Sequence, residues 1–297
     1  MSPVAVGLVG AGPWAGILHA PMLAAGPETT LAGVWARRPE AALALAEAHG
    51  TRAAVSYEEL LEVCEAVAFA VPPDVQARMG VVAARAGKHL LLEKPLALDV
   101  EDAERVADAV ADAGVVSQLV LSTRYSPAGR EFLARAAGFE AVGARCASLS
   151  GAVLGDHPFA TPWRRRHGAL LDVGPHVLDL LDAAVGPIVE VSGRGDPLRW
   201  VSLTCRHAAG AVSAASLSVS LPLPQNVWEC VLYGPAGTLE FRGPADRRSA
   251  RAEQTAAAAA IRQEFAAAVR AARPPALDAH RGLYLQRLVD TASRSLA

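Results

Sequence analysis

The sequence predicts an α/β protein: an N-terminal doubly wound parallel sheet, followed by a C-terminal α+β domain with a largely antiparallel open sheet. Three observations predict it. Between residues 4 and 121 short, continuously apolar runs alternate with alanine-rich stretches of helical spacing. A glycine-spaced turn follows the first of those runs. Beyond residue 122 the rhythm changes to consecutive strand-like runs divided by Gly/Pro turns.

The expected strands of the first half are VAVGLVG (4–10), LAGVWA (31–36), AVAFAV (66–71), HLLLE (89–93) and SQLVL (117–121). Segments 39–49, 74–86 and 100–113 have apolar residues three and four apart and read as helices. Strands that are apolar throughout are buried on both faces, and parallel neighbours require a crossover between them. The second half begins with a helix near 127–137 and a strand near 140–150, then an amphipathic helix near 175–185. IVEVSG, RWVSLTCRH, AVSAASLSVSL, NVWECVLYG and GTLEFRG follow as strands with short connections, which favours antiparallel pairing. Helices near 253–272 and 279–295 close the chain. The expected division is 1–121 as a nucleotide-binding domain and 122–297 as a substrate-binding and oligomerisation domain, with the C-terminal helix able to pack back on the first.

Composition bounds the function. The 297 residues are 52% hydrophobic and 20% charged, with a net charge of −2. That balance offers nothing to nucleic acid or an anionic membrane. No stretch of 18 residues is both apolar and uncharged, and the N-terminus reads as a strand rather than a leader. Cys64, Cys146, Cys205 and Cys230 form no metal or redox spacing. A cytoplasmic protein without a bound metal is expected.

In VGLVGAGPWAGILHAPML, Gly10, Gly12 and Ala15 stand in G-x-G-x-x-A spacing after a strand, with Pro13 and Trp14 opening a helix. Gly10 permits the tight turn, Gly12 lets a pyrophosphate approach the backbone, and Ala15 lets helix pack on strand. The free N–H groups of the helix start favour phosphate. An NAD site places a carboxylate at the end of the second strand, for the ribose hydroxyls. Here that end reads Ala36, Arg37, Arg38. Guanidinium groups suit a 2′-phosphate, so NADP is favoured over NAD.

LLLEKPLAL (90–98) ends an apolar strand in Glu93, Lys94 and Pro95. Only two of the 28 basic residues are lysines, Lys88 and Lys94. Lysine can give up a proton where arginine hardly can, and Lys94 lies at the sheet edge where α/β folds bind ligands. Pro95 stiffens the turn and is a candidate for the cis isomer. In GALLDVGPHVLDLL, Asp172 and His176 are four apart. In a continuous helix they share a face. If the helix begins near Pro175 instead, His176 lies in its first turn, where the dipole favours the neutral imidazole. Either arrangement can supply a group that exchanges a proton and one that orients it. Asp179 competes as orienter, and no third ligand stands at a metal-binding spacing.

GLVGAGPWA, AFAVPPDVQA, AGKHLLLEKPLAL, STRYSPAGREFL and GALLDVGPHVLDLL together resemble the glucose–fructose oxidoreductase / inositol dehydrogenase / MocA family of nicotinamide-dependent oxidoreductases. The resemblance implies a Rossmann domain, an open-sheeted second domain and an active site in the cleft between them. It implies Lys94 as a polar catalytic group near the reacting oxygen, His176 as acid/base, and Asp172 as its partner or a ligand to a substrate hydroxyl. It adds Val71, Pro72, Pro73, Gln76, Glu93 and Lys94 to the residues around the cofactor. Gln76 stands where many relatives have histidine, and Ala36 where many have an acid. Arg124, Tyr125, Trp163, Arg164 and His167 are candidates to line a substrate pocket.

The expected activity is hydride transfer between a nicotinamide cofactor and a secondary alcohol or ketone of a sugar-like or cyclitol-like molecule. A non-catalytic NADP(H)-binding regulator and a reductase of a tetrapyrrole or imine are the alternatives. The uncovered face of the second sheet suggests a homodimer or homotetramer.

Overall fold

The computed structural model describes residues 2–296. Residues up to Leu121 together with Ala258–Tyr284 form one compact unit. Ser122–Ala257 and the residues from Leu285 onward form another.

In the first unit β1 (Val4–Val9), β2 (Thr29–Trp35), β3 (Ala66–Phe69), β4 (His89–Glu93) and β5 (Ser117–Val120) form a sheet ordered β2-β1-β3-β4-β5. Every pairing is parallel. Its core is the apolar runs themselves: Val6, Leu8, Val67, Phe69, Leu90, Leu91 and Leu92 are fully buried. Helices Pro39–Ala48, Pro73–Arg85 and Val100–Ala113 provide crossovers. The last shows how local chemistry sets its ends. Asp99 accepts the N–H of Asp102 at 2.8 Å, and Gly114 takes the left-handed conformation that ends the helix. The strand order reverses between β1 and β3, and ligands of such sheets bind beyond the carboxyl ends of the strands at that reversal.

Residues 258–284 group with this unit. Long-range contacts account for this grouping. Ile261 and Phe265 are fully buried, and Ile261 accepts a hydrogen bond from Gln118 at 2.9 Å. Arg262 pairs with Glu28 at 2.7 Å, Leu119 N–H donates to Leu277 at 2.7 Å, and Ala279 N–H donates to Ser117 at 3.0 Å.

The second unit contains β6 (Gly143–Leu149), β7 (Ile188–Asp196), β8 (Trp200–His207), β9 (Val212–Ser218), β10 (Val227–Gly234) and β11 (Gly237–Arg242), ordered β11-β10-β6-β9-β8-β7. Pairing is antiparallel except between β6 and β9, which run parallel. Strand β8 alternates strictly. Val201, Leu203, Cys205 and His207 are buried, whereas Trp200, Ser202, Thr204 and Arg206 face solvent, the pattern of a sheet covered on one side. Helix Gly174–Val185 packs on β6 and β9.

Helix Pro162–Asp172 has no counterpart among the helices expected from the sequence. It is interrupted at Gly168, where φ is 68°. A Cβ there would lie 2.0 Å from the carbonyl oxygen of Pro197, so glycine is required. All four cysteines are buried and unbridged. Burial raises the Cys64 and Cys146 thiols and pushes Cys205 up to about 11. These thiols are protonated at neutral pH and poor nucleophiles. Among the described residues no helix is long and apolar enough to cross a membrane, and no three His, Cys, Asp or Glu gather as a metal site.

Candidate functional site

The first unit's candidate dinucleotide site lies at the carboxyl ends of β1, β2, β3 and β4. At the end of β1 the chain turns at Gly10, whose φ is 114° and whose N–H donates to Trp35 at 2.8 Å. An added Cβ would stand 2.4 Å from the carbonyl oxygen of Ala70. Gly12 is the opposite case: a Cβ there meets no protein atom within 4 Å, so its backbone opens onto space a ligand can use. Ala15 is fully buried where the helical segment meets the sheet. These residues fit a pyrophosphate. Gly10→Ala is accordingly expected to weaken NADPH binding and to cost about 1–3 kcal/mol of stability, read by cofactor fluorescence titration and thermal denaturation.

Beyond β2, Ala36 is half-buried, and Arg37 and Arg38 are exposed. Beyond β3, Val71, Pro72 and Pro73 lead into helix Pro73–Arg85. Beyond β4 stands Lys94, half-buried, on a cis peptide bond to Pro95. Its neighbour Glu93 is buried and heavily bonded. The Glu93 Oε1 atom accepts the indole N–H of Trp14 at 2.7 Å and meets His19 Nε2 at 2.8 Å. Its other oxygen accepts the N–H of Lys94 at 3.3 Å.

Gln76, expected beside the cofactor, is 1% exposed and turned to the lysine turn. Its Oε1 accepts the N–H of Glu93 at 2.7 Å. Its Nε2 donates to the carbonyls of Glu93, Pro95 and Leu96 at 2.7, 3.3 and 3.1 Å. An amide is suited to this place because it carries an acceptor and two donors on one plane.

The second unit has its own pocket, about 180 Å³, lined by Ser122, Thr123, Ser148, His176 and Trp228. Helix Gly174–Val185 begins two residues before His176, so the histidine lies in its first turn; Asp172 ends the preceding helix. Ser148 and Trp228 are register partners on β6 and β10, and Trp228 Nε1 donates to Thr123 at 3.3 Å.

Asp172 is 4% exposed and accepts from Arg164 Nε at 3.1 Å. Arg164 stacks over Trp163 at 4.5 Å and over Phe159 at 5.5 Å, which holds its guanidinium on the carboxylate. Asp179 forms a buried ion pair with Arg124, whose Nη1 stands 3.0 and 3.1 Å from its two oxygens. Arg124 is thereby engaged within the protein. Tyr125 is 2% exposed and lies under the guanidinium of Arg130. His167 is half-buried on helix Pro162–Asp172.

Sequence reasoning passed over His19, Ser122, Thr123, Ser148 and Trp228. His19 and the Ser122–Thr123 pair lie inside motifs already singled out, but nothing local marks their role. Ser148 and Trp228 meet only through strand pairing.

Residues 4–120 match the family profile described as oxidoreductase family, NAD-binding Rossmann fold, of the Gfo/Idh/MocA group. Among curated proteins similar to this chain, levoglucosan dehydrogenase of Pseudarthrobacter phenanthrenivorans is 34% identical over 136 residues, covering 42% of this chain and 34% of that one. The dTDP-3,4-didehydro-2,6-dideoxy-α-D-glucose 3-reductase of Streptomyces violaceoruber is 34% identical over 191 residues, covering 62% of this chain and 56% of that one. The chain thus spans from about a third to just over half the length of these two relatives. The fold is shared more widely. GenD2 of gentamicin A biosynthesis, solved with NAD, superposes with a TM-score of 0.87 at 22% identity, covering 99% of this chain and 94% of that one. A levoglucosan dehydrogenase solved with NADH and levoglucosan gives 0.83 at 19% identity, covering 99% and 97%.

Proposed function

We propose that this protein is an NAD(P)-dependent oxidoreductase interconverting a secondary alcohol and a ketone on a sugar-like or cyclitol-like molecule, with NADP preferred. The observation that carries the reading is Lys94: a proton-active side chain at the carboxyl end of β4, on a turn fixed by Gln76 and Glu93. The pocket around His176 supports it, since three hydroxyls, an imidazole and an indole suit a polyhydroxylated ring. The curated relatives named above act on sugars by their names.

A bound nicotinamide supplies the hydride chemistry. Gly10 to Ala15 hold the pyrophosphate on backbone N–H groups. Lys94 donates a hydrogen bond to the reacting oxygen and assists the exchange of its proton. His176 exchanges the hydroxyl proton, with Asp172 as its partner or as a ligand to a neighbouring hydroxyl. A panel of sugars and cyclitols offered with NADP⁺, followed at 340 nm, tests the reading. Turnover of at least one is expected. NADPH binding without turnover of any of them points instead to a sensor.

The exposed Arg37 and Arg38 support the NADP preference. Replacing both by alanine is expected to weaken NADPH binding about 10–100-fold, the worth of charge-assisted bonds to a phosphate, with NADH binding little changed. A wild-type protein that binds NADH more tightly than NADPH contradicts the preference. On the uncovered sheet face Trp200, Val212 and Tyr233 are 40%, 51% and 40% exposed, which supports burial against a second copy. A homodimer or homotetramer is expected by light scattering, and a monomer at micromolar concentration counts against it.

A further inference from the structure

We propose that Trp14 and His19 are positioning residues for Lys94, acting through the Glu93 carboxylate, so that the loop holding the dinucleotide and the turn holding the lysine move as one. The proposal rests on the catalytic role assigned to Lys94 above, but its principal test does not.

The geometry begins with the helix after the glycine loop. Residues Ala15–His19 form a π-helical turn, closed by Ala20 N–H donating to the Ala15 carbonyl. On an ordinary α-helix, residues five apart point about 140° away from each other. A π turn, with its i to i+5 hydrogen bonds, brings such residues toward one face. Trp14 and His19 are five apart, and their ring nitrogens meet the same atom, Glu93 Oε1, at 2.7 and 2.8 Å. Such insertions are uncommon and recur at functional sites.

His19 is fully buried, and its Nδ1 has no hydrogen-bond partner. Burying an imidazole with one nitrogen unsatisfied is unfavourable. What the residue accomplishes in that place is the contact to Glu93. Opposite a carboxylate oxygen, Nε2 serves as the donor of this bond.

Two donors on one oxygen fix the carboxylate plane, and the second oxygen takes the N–H of Lys94 at 3.3 Å. The Glu93–Lys94 peptide is therefore oriented from one side by the carboxylate and from the other by Gln76. Trp14 itself lies between Gly12 and Ala15, the residues that receive the pyrophosphate. A dinucleotide that orders this loop thereby orders the lysine turn, and by linkage a correctly set turn strengthens dinucleotide binding.

The chain's two lysines make the test direct. Reductive methylation with ¹³C-formaldehyde labels Lys88 and Lys94 and preserves their charge. Lys88, whose Nζ donates to the Cys64 carbonyl at 3.0 Å, serves as the internal reference. In Trp14→Phe and His19→Leu the Lys94 resonance is expected to shift and broaden, with the Lys88 resonance unmoved. His19→Gln, which returns an N–H donor at similar reach, is expected to recover the wild-type signal. With a substrate in hand, kcat in Trp14→Phe and His19→Leu falls about 10–100-fold, as for a reacting group displaced by about an ångström, and KM changes far less.

Should His19→Leu fail to fold, Trp14→Phe at a half-exposed position carries the same test. A Lys94 signal identical to wild type in the folded variants, with only thermal stability lowered, overturns the proposal. The response of that signal to added NADPH reads the site assignment separately. A wild-type resonance indifferent to NADPH undermines the catalytic role of Lys94, while its dependence on Trp14 and His19 still decides the positioning.

Discussion

Lys94→Ala lowers turnover by about 10²–10⁴-fold, the span that a positioned proton-transfer group contributes, and leaves NADPH affinity close to wild type. The two halves of this expectation have separate structural grounds. The proposed function places cofactor affinity in the Gly10–Ala15 loop, where the backbone at Gly12 is open to a ligand. In the proposed role the lysine assists proton exchange at the reacting oxygen, an interaction made in the transition state and so expressed in kcat. Lys94→Arg keeps the charge but can hardly release a proton, and it is expected to restore little. Turnover and NADPH binding measured side by side in both variants check this. A Lys94→Ala protein of wild-type activity removes the assignment.

The second large effect is at His176. His176→Ala is expected to lower kcat by a similar factor of about 10²–10⁴, with no change in cofactor binding, because the histidine belongs to the pocket of Ser122, Thr123, Ser148 and Trp228. Loss of the imidazole leaves those side chains in place, so substrate affinity suffers less than rate. Asp172→Asn is expected to fall between wild type and His176→Ala. It keeps an oxygen for Arg164 at the price of the charge. Steady-state kinetics that show a rise in KM alone would assign His176 to binding and not to proton exchange.

The parallel sheet was legible because its signal is local. Apolar runs such as HLLLE and AVAF carry their burial in their composition, and Gly10 is fixed by a turn that no other residue can make. What escaped the sequence is held by contacts between distant residues. His19 meets Glu93 across 74 positions, and Gln118 meets Ile261 across 143. No periodicity reports either. Helix Pro162–Asp172 was hidden for a different reason: three arginines crowd its first half and a positive-φ glycine breaks its middle, so neither spacing nor apolarity signals a helix. Gln76 lies in the segment after β3, and its hydrogen bonds to the lysine turn span 17 to 20 positions, beyond the reach of any local pattern. The parallel pairing of β6 with β9 was likewise invisible, because short connections argue only about neighbours in sequence.

Under the proposed function Lys94 and His176 serve one chemical step. Single-turnover absorbance at 340 nm on wild type, Lys94→Ala, His176→Ala and the double variant, each saturated with NADPH and a ketone substrate, tests it most directly. Residues acting as a unit are strongly non-additive, so the account predicts that the double variant is about as slow as either single one. Rates in which the two losses simply multiply, or single variants as fast as wild type, would contradict it.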